Sequence, residues 1–156
     1  MSPLLTSQKS PLVTTRFLVT LFLVMTNIVT FSHALADATR WRIVRLVMEE
    51  ALCVCELADI LEMPQSSVSS HVQVIRKAGL LESEKCGKWT YFRIARGFRK
   101  LITGMEEFFA EGADPAWAGD DAKATRRLAE REGSCCPGPV KLISKPARKT
   151  KTTLKP

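Results

Sequence analysis

The chain has 156 residues, enough for one domain with a real core and too few for two large ones. Its formal net charge of +7 is concentrated: residues 65–100 carry eight basic and two acidic side chains and residues 141–156 six and none, so a polyanion is the implied partner of the first segment and a solvated extension the reading of the second. Five cysteines, at 53, 55, 86, 135 and 136, exclude a disulfide framework by their odd count and close pairing, and fit thiols kept reduced for a metal or metalloid.

At the N-terminus, Lys9 and Arg16 precede the apolar run Phe17 to Phe31, and Ala34-Leu35-Ala36 imitates a signal-peptidase site. The run is 15 residues long and interrupted by Thr20, Thr26, Asn27 and Thr30. It falls short of the roughly 20 residues that span a bilayer, so no membrane helix is expected. Secretion is opposed by the DNA-reading pattern downstream, to whose domain Ala34 to Arg45 belong. Residues 1–29 are therefore read as an apolar extension, either a buried dimer helix or a stretch ahead of a later start at Met25, and a cytoplasmic location is expected.

From Phe31 the pattern is helical. Phe31, Leu35 and Ala38 share one face, and Trp41, Val44, Val47 and Met48 continue the spacing with Arg40, Arg42 and Arg45 on the other side. Two short helices are predicted to meet around Asp37 to Arg40. The next helix runs from about Cys53 to Leu61, with Val54, Ala58 and Leu61 on its stripe. Met63-Pro64-Gln65 forms a turn, because Pro64 cannot continue one helix but tolerates the start of another. The following helix, Gln65 to Ala78, turns Val68, Val72 and Ile75 inward and stops at Gly79. Its outer face carries Gln65, Ser66, Ser67, Ser69, Ser70, His71, Gln73, Arg76 and Lys77, small and polar first and basic last. That order suits a recognition helix, whose first residues meet base edges while hydroxyls and cations meet phosphates. Alone, it equally suits an amphipathic helix with a solvated serine face.

Leu80 to Ile94 is strand-like, with turn chemistry at Gly87-Lys88. A hairpin behind a helix-turn-helix is a wing, and Lys85 and Lys88 near its tip would meet phosphates. Phe98, Leu101, Ile102, Met105, Phe108 and Phe109 then make a broad apolar stripe over Gly97 to Ala110, which favours a two-fold dimer. Gly112 to Gly119 reads as a loop with Trp117 against the body. A last helix spans about Asp120 to Glu132, followed by the turn Ser134-Cys135-Cys136-Pro137-Gly138-Pro139. The fold class is thus mainly α with a small β-hairpin wing: a dimeric winged helix-turn-helix at 30–112, a helix and Cys-Cys turn at 113–140, and a basic tail at 141–156 expected to be disordered.

Over about residues 30–110 the chain resembles the ArsR/SmtB winged-helix repressors. The resemblance lies in Phe31 to Val44, Leu52-Cys53-Val54-Cys55-Glu56-Leu57, Gln65 to His71, Ala78-Gly79-Leu80-Leu81 and Gly87-Lys88-Trp89, in the family's order. It implies a homodimer built on the first and last core helices, operator binding without inducer, and release when an ion binds. The Cys-Val-Cys pair is similar to the arsenical-responsive branch, which implies As(III) or Sb(III) as inducer, held by Cys53 and Cys55. Ala58 stands where some members of that branch have a third cysteine, so a three-coordinate As(III) site takes its third thiol from elsewhere or is completed by two sulfurs and another ligand. Cys135 and Cys136 resemble C-terminal thiol pairs of other arsenical repressors, including some that prefer trivalent organoarsenicals; whether the two pairs make one site or two is left open, as is a turn with incidental cysteines. A cadmium, lead or zinc sensor of the same family is the alternative. It is weakened because residues 1–52 lack cysteine and the only histidines are His33 and His71. Cys86 is read as an incidental surface residue and His71 as a DNA contact.

Two residues along an α-helix are rotated by about 200° and raised by about 3 Å, so sulfurs of Cys53 and Cys55 on one helix would point apart. The expectation is that ligand binding unwinds the turn at Cys53 to Glu56 and displaces the recognition helix. An enzyme, such as a thiol-dependent arsenate reductase, would need an activated cysteine in an anion-binding loop, and neither cysteine pair is flanked by one. No catalytic residue or cofactor is expected. A secreted thiol protein is the remaining alternative.

Overall fold

The computed structural model of the chain describes residues 28–109, 115–134 and 136–142. The run Phe17 to Asn27, most of the expected 1–29 extension, Cys135 and the tail beyond Leu142 lie outside the described residues. Helix α1, described over 28–35, breaks at Ala36-Asp37. There Asp37 takes an extended conformation and its carboxylate accepts the Arg40 backbone N–H at 2.8 Å, which caps α2, Ala38–Glu49. This is the two-helix arrangement the apolar spacing predicts. Ala34 is buried in the core and its carbonyl accepts a hydrogen bond from Arg40, so cleavage after Ala36 would remove part of the folded unit.

After α2 come β1 (Leu52–Cys53), α3 (Val54–Leu61), α4 (Gln65–Lys77), β2 (Leu81–Cys86), β3 (Trp89–Ile94), α5 (Arg96–Phe108) and α6 (Pro115–Ala129), then a 3-10 turn, Arg131–Gly133. Glu62 ends α3 in the left-handed region, at φ 55° and ψ 45°. Pro64 precedes α4 directly, where its missing N–H costs no helical hydrogen bond. The two helices meet through Leu57, Ile60 and Leu61 against Val68, Val72 and Ile75, all buried in a core shared with Ile43, Val44, Val47, Leu80, Ile94 and Ile102.

The expected hairpin wing forms, β2 with β3, and a third strand extends it. Strand order is β1-β3-β2, all antiparallel, with Leu52 opposite Phe92 and Cys53 opposite Tyr91. A two-residue strand gives no periodic signal, so β1 is absent from the sequence reading. Gly87 turns the hairpin at φ +60°.

Two sequence expectations fail here. Residues 115–119 are helical rather than loop, because Pro115 suits the first turn of a helix, and α6 ends at Ala129 rather than near Glu132. The α2 arginines, on the side opposite the apolar stripe, are engaged by acidic partners. Arg42 grips the buried Asp120 of α6 with two bonds of 2.6 Å, and Arg45 reaches Glu106 at 3.1 Å and Asp121 at 3.3 Å and lies 5.2 Å from the Trp117 ring centre. Lys123 pairs with Glu62 and Arg127 with Asp59, so α6 is laid across α2 and α3 by charge.

Candidate metalloid centre and DNA-reading face

Cys53 is in strand β1 and forms the N-cap of α3, with extended backbone at φ −89° and ψ 168°. Cys55 lies in the helix's first turn. The two residues therefore do not share a helix, and their sulfurs stand 2.9 Å apart with α3 fully wound. The expected unwinding is unnecessary: the 200° argument holds only if Cys53 is helical. The Cys53-x-x-Glu56 spacing is that of a capping box with sulfur in place of a hydroxyl, and it is the sequence signal that puts Cys53 outside the helix.

The third sulfur comes from Cys136, on the turn after α6. Its Sγ lies 2.9 Å from that of Cys55 and 3.5 Å from that of Cys53. Cys53 and Cys136 are buried and Cys55 is partly exposed, so the cluster opens to solvent on the Cys55 side. Burial holds the Cys53 thiol above its ordinary range, with the Cys55 hydrogen bond reinforcing it. Ala58, three residues after Cys55, is buried in the core. Cys86 is half-buried and packs against the cluster that holds Cys53 and Cys136, rather than standing free on the surface. Cys135 lies outside the described residues.

Polar side chains that the sequence reading did not single out surround these sulfurs. Glu56 is fully buried; its carboxylate accepts the Cys53 backbone N–H at 3.0 Å and pairs with Arg131 at 2.8 and 3.1 Å. Tyr91, opposite Cys53 on β3, accepts the Gly138 N–H at 2.8 Å, and burial pushes its hydroxyl up to about 12. Farther along, Glu84 on β2 accepts backbone N–H groups of Val140, Lys141 and Leu142 at 2.8 to 3.0 Å.

On α4, Gln65, Ser66, Ser70, Gln73, Arg76 and Lys77 are exposed and Ser67, Ser69 and His71 half-exposed, opposite the buried Val68, Val72 and Ile75. Ser70 donates to the Ser66 carbonyl at 3.0 Å, and His71 lies 3.7 Å from the Asp37 carboxylate, away from the thiols. Lys85 and Lys88 are exposed on the wing, with the Lys88 ammonium 4.7 Å from the Trp89 ring centre. A cavity of about 430 Å³ joins the two regions: Cys53 and Cys55 share its wall with Gln65 and Gln73 of α4 and Lys88 and Trp89 of the wing.

A helix-turn-helix backed by a three-stranded wing defines this protein as a winged helix-turn-helix transcriptional regulator. The family model described as "Bacterial regulatory protein, arsR family" matches residues 37–83. The chain is 35% identical over 101 residues to an arsenic resistance transcriptional regulator of Pseudomonas putida, covering 64% of this chain and 78% of that protein. It is 34% identical over 110 residues to the arsenical resistance operon repressor of Escherichia coli, covering 70% and 88%. The fold is similar to that of a homodimeric winged helix-turn-helix DNA-binding domain from Mycobacterium bovis, with a TM-score of 0.56 at 19% identity, over 69% of this chain and 93% of that one. The protein belongs to the ArsR family.

Proposed function

We propose that this protein is a metalloid-responsive repressor: a homodimer that holds operator DNA in the ligand-free state and releases it when As(III) or Sb(III) is taken up by Cys53, Cys55 and Cys136. The observation that carries the reading is the convergence of three sulfurs within 2.9 to 3.5 Å of one another. Arsenous acid exchanges its three hydroxyls for three thiols, releasing three waters, with no change of oxidation state. The product is neutral, so a buried site can accept it without a stranded charge. The names of the Pseudomonas and Escherichia relatives support the same inducer class.

In the DNA complex, the face from Gln65 to Lys77 enters the major groove and Lys85 and Lys88 neutralise flanking phosphates. The dimer forms on α1 and α5, where Ile28, Val29, Leu101, Phe108 and Phe109 expose apolar surface and Phe31 stacks on Phe98 at 5.7 Å. Release follows from the cavity wall that Cys53 and Cys55 share with Gln65, Gln73 and Lys88: drawing the sulfurs onto one atom moves a surface continuous with the DNA-reading face. A coupling of about 1 to 3 kcal/mol changes operator occupancy 5- to 150-fold. An agent of this kind works on cellular DNA, hence in the cytoplasm, and no helix among the described residues is long and apolar enough to cross a membrane.

The test is fluorescence anisotropy of labelled operator DNA titrated with arsenite. Wild type releases the DNA; Cys53→Ser/Cys55→Ser stays bound, and Cys136→Ser needs roughly tenfold or more arsenite, a loss in the range expected when a metal site is impaired. Release of both variants at wild-type concentrations would place the switch outside these three residues.

A further inference from the structure

The third sulfur is supplied by a stretch that no helix or strand holds, and a separate set of side chains fixes its place. Arg131 sits at the centre of that set. Its guanidinium pairs with the buried Glu56, donates to the Ala51 carbonyl at 2.8 Å, and lies 5.7 Å from the Tyr91 ring centre. Glu56 in turn accepts the Cys53 N–H. One carboxylate thereby ties the segment bearing Cys53 to the segment bearing Cys136.

The turn itself is built around the arginine. Gly138 has φ +91°, and a Cβ there would stand 3.2 Å from the Arg131 side chain, so the chain passes close over the arginine stem. Its N–H is held by Tyr91, while the Cys136 N–H donates to Ser134 at 3.2 Å. Tyr91 lies opposite Cys53 across the β1–β3 pair.

We propose that Arg131 is a positioning residue for the metalloid centre: paired with Glu56 and seated on Tyr91, it holds Ser134 and the backbone from Cys136 to Gly138 so that the Cys136 sulfur stands ready beside Cys55. The inference rests on the three-thiol reading above. Its physical basis is preorganisation. A ligand that needs three thiols must order any segment that is not already in place, and the entropy of that ordering is subtracted from its affinity. A ligand satisfied by two thiols, such as phenylarsine oxide, still has the Cys53–Cys55 pair, 2.9 Å apart, when Cys136 is displaced.

The experiment compares arsenite with phenylarsine oxide on the full chain, reading affinity and, by arsenic X-ray absorption, the number of bound sulfurs. In Arg131→Met, arsenite affinity falls roughly tenfold or more and the sulfur count drops from three to two, while phenylarsine oxide binds as in wild type. Tyr91→Phe removes the acceptor of the Gly138 N–H, keeps the ring, and shifts arsenite in the same direction by less. Three sulfurs and wild-type arsenite affinity in Arg131→Met would overturn the proposal, as would equal weakening of both ligands, which is the signature of a damaged fold. Cys136→Ser separates the two readings. If it keeps three sulfurs, the three-thiol site itself fails; if it loses one while Arg131→Met does not, only the positioning role falls.

Discussion

Cys53 shows how much a single backbone state decides. As the first residue of a helix it would send its sulfur away from Cys55; as an extended N-cap it brings the two to 2.9 Å. The thiols were legible in the sequence, while the source of a third ligand was left open, because Ala58 stands where some members of the resembled branch have a cysteine. That Cys136 stands beside Cys53 and Cys55 was not legible, since 81 residues separate it from Cys55 and no periodic signal crosses that gap. Asp120 is the other residue whose role only packing reveals. It is 1% exposed and held by Arg42 through two bonds of 2.6 Å. Asp120→Ala removes both bonds from the partly buried guanidinium, and a loss of about 2 kcal/mol is expected in urea denaturation, the range for hydrogen bonds to charged groups. A loss below about 1 kcal/mol, the range of exposed pairs, would show that α6 is held by other contacts.

Among the elements, the expected hairpin wing is present and is extended by a third strand, β1, which carries Cys53. The wing and the cysteine cluster therefore meet at β3, and Glu84 on β2 adds a second link by receiving the backbone of residues 140–142. Partial desolvation pushes the Glu84 carboxyl up, but the N–H groups of Leu142, Lys141 and Val140 outweigh it and hold it below the usual carboxylate range. A depressed pKa in the folded state contributes stability that is present above the unfolded value of about 4.3 and is lost as pH falls through the lower folded value. Glu84→Gln should thus lower Tm at neutral pH, and the gap to wild type should close in acid below the folded pKa. A gap that persists unchanged in acid would mean that the charge of Glu84 contributes nothing to docking this segment.

At the scale of the whole molecule, the exposed apolar face of α5 is the feature a monomer does not explain. Ile102 is its one buried residue, whereas Leu101 is 50% and Phe108 81% exposed. Replacing both by aspartate should leave the fold intact, because neither contributes to the core, yet should yield a monomer in sedimentation and a sharp loss of operator affinity, since two half-sites then bind independently. A dimer that survives the double substitution would move the interface elsewhere. The sequence by itself determined the helix-turn-helix, the stripes that build its core, the polar face of Gln65 to Lys77 and the family, because hydrophobic periodicity, turn chemistry and short motifs are local properties of the chain. It did not determine β1, the charge-bound seat of α6 or the company Cys53 and Cys55 keep. Those rest on contacts between residues far apart in sequence, of which Arg131 with Glu56 and Tyr91 with Gly138 are the ones that bring Cys136 to the site.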